Sequence, residues 1–183
     1  MAAVPAVFLD RDGTIIADQD YPGDAEGVSL LPGAADAVAR FNRAGLPVLV
    51  VTNQSGIGRG YITEPQFRAV QARMERLLEA EGARVDDTFF CPHSPDQSPP
   101  CACRKPAPGL YLEAARGRGL DLARSIYIGD RLRDVLPGLE FGGKTYLIEG
   151  TEPAATADPP PGVRIVASLA EAADLALDPH GSD

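Results

Sequence analysis

All three cysteines of the chain and one of its two histidines lie in the segment CPHSPDQSPPCACRKP, residues 91 to 106. The candidate metal ligands in this segment are Cys91, His93, Cys101 and Cys103. Three thiolates and an imidazole form a closed tetrahedral set for Zn²⁺, with no vacant position. A thioredoxin-like redox site needs Cys-x-x-Cys, which the segment lacks. Chance clustering of buried cysteines is the alternative, but the intervening prolines and serines indicate a surface loop. The residue types therefore favour zinc, but both ligand pairs are spaced more tightly than the Cys-x₂-Cys of zinc fingers, so spacing alone does not decide it.

Acidic side chains follow two of the apolar runs. In the sequence FLDRDGTI, Asp10 ends the run and Asp12 comes two residues later; in YIGDRLRD, Asp130 ends the run and Asp134 follows. Two carboxylates in one pocket repel each other and raise the pKa of one, unless a cation lies between them. Mg²⁺ is such a cation, since it binds one or two carboxylates together with phosphate and water. A simple turn at the first motif and a helix N-cap at the second are the alternatives.

A third polar set lies in the sequence VVTNQSGIGRG, where Thr52 and Asn53 precede a glycine-rich turn. A hydroxyl, an amide and free backbone N–H groups can bind phosphate oxygens without adding net charge. The segment is not a P-loop, because no Gly-Lys-Ser/Thr follows. An ordinary strand-to-helix turn is the alternative for this segment taken alone.

Alternating strands and helices are predicted to bring these polar sets together. Short apolar segments predict strands at residues 4–9, 46–51, 85–90, 125–128, 144–148 and 163–166. Helical patterns lie between them. This alternation predicts an α/β fold, with a mostly parallel sheet covered by helices on both faces. Ligands of such sheets bind beyond the carboxyl ends of the strands, near the reversal of strand order.

The predicted helices carry start and stop signals. Thr63 and Gln66 have the spacing of a capping box. Pro137 and Gly138 predict a break in the helix expected after Asp134. Helices are predicted at about residues 31–43, 63–82, 108–116 and 168–177.

Length and composition are those of one globular domain, with 183 residues, 44% of them hydrophobic and 23% charged. We expect the core at about residues 5–150, a zinc loop at 91–103, and a C-terminal strand and helix at 163–177. The low-complexity stretch 150–162 is predicted to be a surface loop. His180 lies in a polar tail, where disorder is expected.

The formal net charge of −9 argues against binding to nucleic acid or to an anionic membrane. The longest apolar run, LPVLVV, is far shorter than a membrane span. No secretory signal is evident, and three cysteines cannot pair evenly, so we expect a cytoplasmic protein with reduced thiols. With no obvious apolar patch, a monomer is expected.

Taken as a set, the motifs resemble the haloacid dehalogenase-like (HAD) phosphatase superfamily, over roughly residues 5 to 150. Its signature is DxD, a Thr or Ser after the second strand, a later Lys, and GD…D. The matching residues are Asp10, Asp12, Thr52, Lys105, Asp130 and Asp134. The Cys-x-His…Cys-x-Cys loop that runs into Arg104-Lys105-Pro106, beside VTNQSGI, is similar to the D,D-heptose 1,7-bisphosphate phosphatases and the related histidinol-phosphate phosphatases.

The resemblance implies a role for each matched residue. Asp10 would be the nucleophile, giving an aspartyl-phosphate, and Asp12 the general acid and then the general base. Thr52 and Lys105 would bind the phosphoryl oxygens, and Asp134 would orient Lys105 or the water shell of the metal. The implied Mg²⁺ ligands are the Asp10 carboxylate, the Asp12 main-chain carbonyl, Asp130 and the Arg131 main-chain carbonyl. The implied substrate-binding residues are Asp18, Tyr21, Thr52, Asn53, Gln54, Ser55, Arg104 and Lys105. The zinc would be structural and would hold Arg104 and Lys105 in place.

Both intervals that could carry a cap domain are short, so we expect no large cap and an open site. The expected reaction is Mg²⁺-dependent removal of the 7-phosphate of D-glycero-D-manno-heptose 1,7-bisphosphate, a step towards nucleotide-activated heptose and lipopolysaccharide. Histidinol phosphate is the alternative substrate, with Asp18, Asp20 and Asp24 as partners for its cationic end. A DNA 3′-phosphatase is a further alternative, disfavoured by the acidic net charge. A non-catalytic zinc module is the last.

Overall fold

The computed structural model of the protein describes residues 3–18, 23–96 and 99–178. Tyr21, predicted to line the substrate site, and His180 lie outside the described residues. Within them, six parallel strands form one sheet in the order β3-β2-β1-β4-β5-β6, which confirms the predicted parallel α/β fold. The strands are β1 (Val7–Leu9), β2 (Val48–Asn53), β3 (Asp87–Cys91), β4 (Ile126–Gly129), β5 (Lys144–Ile148) and β6 (Val163–Val166).

The connections between strands contain the helices. These are α1 (Ala34–Arg43), α2 (Ser55–Gly58), α3 (Glu64–Ala80), α4 (Gly109–Arg118), α5 (Leu132–Phe141), α6 (Pro153–Ala157) and α7 (Leu169–Leu177). The capping box predicted at the start of α3 is confirmed: the Gln66 backbone N–H donates to Thr63 Oγ1, and the Thr63 N–H donates to Gln66 Oε1 at 2.8 Å. Among the helices described, none combines the length and the apolar character needed to cross a bilayer.

The strands bury side chains on both faces, so each face of the sheet has its own apolar layer. Val7 and Leu9 of β1 pack with α1, α3 and α7 on one face. Phe8 points to the other face, where it stacks on Tyr127 with ring centroids 5.1 Å apart and meets Tyr111 of α4 edge-on at 5.3 Å. Because successive side chains of a strand alternate, a fully buried strand must be apolar throughout, as the sequence VFL of β1 is.

The break predicted at Pro137 was wrong, since α5 runs continuously from Leu132 to Phe141 with the proline inside it. Gly138 explains why the helix is held there: a Cβ on this residue would lie 2.4 Å from Tyr127 Cγ. The helix backbone therefore rests directly on the ring. Packing on the sheet offsets the backbone hydrogen bond that the proline removes.

Three strands, β2, β3 and β4, end later than predicted, and two short helices were missed. β2 continues to Asn53, which pairs in register with Cys91 of β3, so that Thr52 and Asn53 end the strand instead of following it. The glycine-rich turn contains α2, and the predicted loop 150–162 contains α6. Both helices are five residues or fewer, too short for a periodic pattern to reveal.

Candidate functional site

The carboxyl ends of β1, β2 and β4 meet at one rim of the sheet. The chain order reverses between β1 and β4, and at this reversal Asp10 follows β1 while Asp130 follows β4. Thr52 lies near the end of β2, on the other side of β1. A cleft of about 270 Å³ opens at this rim. The predicted site residues that line it are Asp10, Asp12, Asp18, Thr52, Asn53, Gln54, Ser55, Arg104 and Arg131.

Lys105 lies between two carboxylates at this rim. Its Nζ is 2.7 Å from Asp10 Oδ1 and 2.8 Å from Asp134 Oδ1, and its side chain is only 1% exposed. Burial by itself lowers the pKa of Lys105, but the charges of Asp10 and Asp134 outweigh burial and hold that pKa above its usual value. Lys105 therefore carries its positive charge beside the predicted nucleophile.

The backbone of Lys105 is fixed by Asn53, at the end of β2. The Asn53 amide Nδ2 donates to the Lys105 carbonyl at 3.1 Å, and the Lys105 N–H donates to Asn53 Oδ1 at 3.0 Å. The ammonium also donates to the carbonyl of Val51, two residues before Asn53 in β2. Three contacts thus bind Lys105 to β2, although the two segments are far apart in sequence.

Asp130 shows that the rim is suited to a divalent cation. Both of its carboxylate oxygens are buried and have no hydrogen-bond partner among the described residues. Burial, followed by the negative charge of Asp10, raises the pKa of Asp130 to about 6. One carboxylate oxygen from each of Asp10, Asp130 and Asp134 lies within 4.8 Å of the other two. Unsatisfied, crowded carboxylate oxygens are what Mg²⁺ binds, so these residues fit the predicted metal.

Gly13 allows the Asp130 carboxylate to occupy this position. Its φ is +81°, in the left-handed region, and a Cβ there would lie 2.4 Å from Asp130 Oδ2. The glycine of the DxDG motif therefore makes room for the acid at the end of β4. The main-chain carbonyls of Asp12 and Arg131 stay predicted metal ligands.

Asp12, the predicted general acid and base, is hydrogen-bonded through both carboxylate oxygens. Arg11, only 1% exposed, donates from NH2 to Oδ1 at 3.0 Å and from Nε to Oδ2 at 3.1 Å. The Gln54 amide donates to Asp12 Oδ2 at 2.8 Å and to Thr52 Oγ1 at 2.9 Å. Gln54 thus joins the acid to the buried hydroxyl, whose own hydrogen can still be donated to a phosphoryl oxygen.

The four predicted zinc ligands converge beyond the end of β3. Their ligand atoms all lie within 4.8 Å of one another, and the cysteines are free thiols. Cys103 Sγ is 3.1 Å from Cys91 Sγ and 3.2 Å from His93 Nδ1, and Cys101 Sγ is 3.6 Å from Cys91 Sγ. Three sulfurs and one imidazole nitrogen in such a cluster fit a structural zinc site, with no position left for water.

Arg104 leaves this loop and lines the cleft. One of its NH1 hydrogens points to the His93 carbonyl at 3.4 Å, which joins its guanidinium to the loop backbone. Its pKa is lowered first by burial and then by the positive charge of Arg133, with a smaller effect from Arg59. Several cationic side chains are therefore close together at one side of the cleft.

Sequence reasoning missed three arginines of the site. Arg59 and Arg133 line the cleft, and Arg11 supports Asp12. A signal did exist for Arg59, which follows the glycine-rich turn, and for Arg133, which adjoins Asp134. Because the chain has a net charge of −9, arginines that adjoin the polar motifs are candidates for binding an anionic substrate.

Of the other residues predicted to lie at the substrate site, some line the cleft and one lies outside the described residues. Asp18 and Arg131 both line the cleft and form an ion pair of 3.5 Å, which joins the segment after β1 to the start of α5. Ser55 lines the cleft as the first residue of α2. Tyr21 lies outside the described residues.

Two family models match the chain. One, described as HAD-hydrolase-like, matches residues 102–172. The other, described as polynucleotide kinase 3 phosphatase, matches residues 6–135. The two matches together include the carboxylates at both strand ends, the Thr52 segment and Lys105.

Similar proteins cover nearly the whole chain. A D-glycero-β-D-manno-heptose-1,7-bisphosphate 7-phosphatase of Mesorhizobium japonicum is 42% identical, over 98% of this chain and 85% of the relative. The enzyme of the same name from Bordetella bronchiseptica is 37% identical, over 93% of this chain and 97% of the relative. A crystal structure of the B. bronchiseptica D,D-heptose 1,7-bisphosphate phosphatase, complexed with magnesium and phosphate, is similar with a TM-score of 0.85, 36% identity, and coverage of 93% and 97%.

The Burkholderia thailandensis D,D-heptose 1,7-bisphosphate phosphatase is also similar, with a TM-score of 0.69, 33% identity, and coverage of 93% of this chain and 97% of the other. Relatives of this identity and coverage share one family, and the predicted resemblance is confirmed. The chain belongs to the D-glycero-β-D-manno-heptose-1,7-bisphosphate 7-phosphatase family, among the HAD-like phosphatases.

Proposed function

We propose that the chain removes the 7-phosphate of D-glycero-D-manno-heptose 1,7-bisphosphate through an aspartyl-phosphate intermediate. The observation that carries the proposal is the contact between Asp10 Oδ1 and the buried, positively charged Lys105 Nζ at the rim where β1 and β4 end. A carboxylate paired in this way can approach a phosphate dianion, because the ammonium offsets the repulsion between the two anions. Relatives that carry the name of this reaction support the choice of substrate.

In the first half-reaction, Asp10 attacks the phosphorus of the 7-phosphate. A bond forms between a carboxylate oxygen and phosphorus while the bond from phosphorus to the C7 oxygen breaks. Asp12 gives its proton to the departing oxygen, which leaves as the C7 hydroxyl of the sugar 1-phosphate. Arg11 and Gln54 hold the Asp12 carboxylate in the cleft during this step.

In the second half-reaction, Asp12 takes a proton from water, whose oxygen attacks the phosphorus. The bond to Asp10 breaks, inorganic phosphate leaves and both carboxyl groups return to their starting states. Lys105 and Thr52 bind the equatorial oxygens, where negative charge is spread in the transition state. Asp10 and Asp130 would hold the Mg²⁺, which would supply further positive charge to offset the charge of the phosphate.

The zinc loop has a structural role in this mechanism, because it positions the residues that follow it. It lies directly before Arg104 and Lys105, and its closed ligand set leaves no position for catalysis. We propose that zinc fixes the course of the chain, so that Lys105 reaches β2 and Arg104 faces the substrate.

Other substrates are not favoured. The curated relatives that match nearly the whole chain are named for the heptose bisphosphate, which disfavours histidinol phosphate. The polynucleotide phosphatase model matches the part of the chain that holds the DxD, Thr and Lys motifs. A DNA 3′-phosphatase would share these motifs, so the match does not by itself favour a nucleic-acid substrate.

We further propose that the enzyme acts as a monomer in the cytoplasm, where its zinc-binding thiols stay reduced.

Phosphate release with Mg²⁺ tests the proposal. The purified chain is compared on heptose 1,7-bisphosphate, histidinol phosphate and a 3′-phosphorylated oligonucleotide. We expect the highest kcat/KM on the bisphosphate, with release of the 7-phosphate identified by ³¹P NMR. A higher kcat/KM on either competitor, or release of the 1-phosphate, would overturn the assignment.

A further inference from the structure

Two cationic side chains lie at the start of α5, Arg131 at the N-cap and Arg133 in the first turn, between the carboxylates of Asp130 and Asp134. The N-terminus of a helix is the positive end of its dipole and favours anions, so cations there are destabilising by a few tenths of a kcal/mol or more. Arg133 nevertheless lines the cleft, with Arg104 at the same opening. The positive charge of Arg133 lowers the pKa of Arg104, so the two guanidinium groups repel each other, and an anion bound between them would offset this repulsion.

Arg133 has little compensation from the protein itself. Its Nε is buried and has no hydrogen-bond partner among the described residues. The nearest carboxylate oxygen, Asp134 Oδ1, is 4.0 Å away and is already 2.8 Å from Lys105 Nζ. At 37% exposure the rest of the side chain can be reached from the cleft. The buried Nε–H is thus an unsatisfied donor, and the exposed part of the side chain lines the cleft.

Arg133 does not contact the predicted nucleophile. Asp134 and then Lys105 lie between it and Asp10 along successive ionic contacts. Lys105 is the cation in contact with the nucleophile, whereas Arg133 has its ionic contact with Asp134 and none within 4.0 Å with Asp10. Arg133 is therefore available to an anion other than the one that Asp10 attacks.

We propose that Arg133 is a specificity-determining residue, whose guanidinium binds the phosphate of the bisphosphate that is not hydrolysed. The inference rests on the proposed function and adds a binding residue to it. The planar fork of an arginine can donate two parallel hydrogen bonds to one phosphate, a geometry that a single lysine ammonium does not have. Selection for a bisphosphate over a monophosphate then follows from the second anion, because the bond that breaks, from phosphorus to the C7 oxygen, is the same in both substrates.

Kinetics on two substrates test the assignment. Wild type and Arg133→Ala are compared on heptose 1,7-bisphosphate and on heptose 7-phosphate, which lacks the second phosphate. Arg116→Ala is the matched control, since Arg116 is an exposed arginine near the end of α4, away from the cleft. We expect Arg133→Ala to lower kcat/KM on the bisphosphate by about 10- to 100-fold, mainly through KM, which is the range for a lost hydrogen bond to a charged group. On the monophosphate we expect less than about a three-fold change.

The same data separate the two proposals. If wild type fails to prefer the bisphosphate, the proposed function is overturned, and this is read without any variant. If wild type prefers the bisphosphate and Arg133→Ala keeps that preference, the inference about Arg133 is overturned alone. Equal losses on both substrates would also overturn it, because they would mean that Arg133 acts on the Asp134–Lys105 pair. Arg133→Lys keeps the charge near Asp134, and we expect it to recover part of the bisphosphate preference; no recovery, with native circular dichroism, would count against a phosphate contact.

Discussion

The two candidate metal sites of this chain are built in opposite ways. The zinc ligands, from Cys91 to Cys103, come from one short stretch of chain, and no other segment supplies a ligand among the described residues. The carboxylate cluster takes Asp10 from the end of β1 and Asp130 and Asp134 from the β4–α5 junction. The zinc ligands are brought together by the folding of one short segment, whereas the carboxylates are brought together only when the sheet has formed.

The two sites therefore differ in what holds their ligands in place. A site assembled from distant strands is held by the whole fold, so its carboxylates can be forced together with unsatisfied oxygens, as Asp130 is. A loop rich in proline and serine has no sheet to hold it, and a metal supplies the order instead. Asn53 and Lys105 join the two regions, because the segment that leaves the zinc loop hydrogen-bonds to the end of β2.

The largest effect is expected from a substitution in the carboxylate cluster that leaves the zinc site unchanged. Asp10→Asn removes the attacking carboxylate while keeping its shape, so we expect kcat to fall by about 10⁴-fold or more. Zinc content, measured by atomic emission, and the unfolding midpoint should stay close to the wild-type values. Substantial residual turnover would show that Asp10 is not the nucleophile. Loss of zinc would show that the two sites are not independent.

Lys105→Met should give the next largest effect. It removes the cation between Asp10 and Asp134, and loss of one such electrostatic contact typically lowers kcat by about 10²- to 10³-fold. Lys144→Met is the matched control, because Lys144 is exposed at the start of β5. Steady-state kinetics on both variants, with circular dichroism for the fold, make the comparison. A loss for Lys144→Met as large as for Lys105→Met would contradict the role given to Lys105.

Cys101→Ser tests whether zinc acts only through position. We expect the variant to lose zinc and to lower kcat/KM by about 10- to 100-fold, since Arg104 and Lys105 lose their support from the loop. The far-ultraviolet circular dichroism of the sheet should be retained. Ser94→Ala is the control in the same loop, where the Ser94 hydroxyl contacts only the exposed Asp96 among the described side chains. Unchanged kinetics in a zinc-free Cys101→Ser enzyme would remove the zinc loop from the mechanism.

The sequence predicted the local parts of this arrangement well. The four zinc ligands share one segment, and each acid that ends a strand follows an apolar run, so the local sequence marked them as candidates and the resemblance to a phosphatase family supplied their roles. The capping box of α3 was equally local. The errors came where tertiary packing decides: Pro137 stays helical because Gly138 rests on Tyr127, three-dimensional neighbours that no window of sequence contains.

The support around the site was the least predictable part. Asn53 was expected to contact substrate, and it does line the cleft. Its side-chain amide, however, makes two hydrogen bonds to the Lys105 backbone. Arg11 was passed over because the residue between the two acids carries no motif of its own, and its contact with Asp12 needs the fold of the turn. Side chains that act on other site residues leave little mark in a single sequence.

The smallest effect we predict tests the joint between the two regions. Asn53→Ala removes two hydrogen bonds to the Lys105 backbone, which together contribute about 1–3 kcal/mol. Asn42→Ala is a closely matched control: Asn42 Nδ2 donates to the Arg84 carbonyl at 3.0 Å and its Oδ1 accepts from the Arg84 N–H at 2.8 Å, far from the rim. Both variants should lower the unfolding midpoint by a few degrees, but only Asn53→Ala should lower kcat/KM, by about ten-fold, with zinc retained. Equal kinetics in the two variants would mean that the zinc loop positions Lys105 without help from β2, and that the regions are joined through the metal alone.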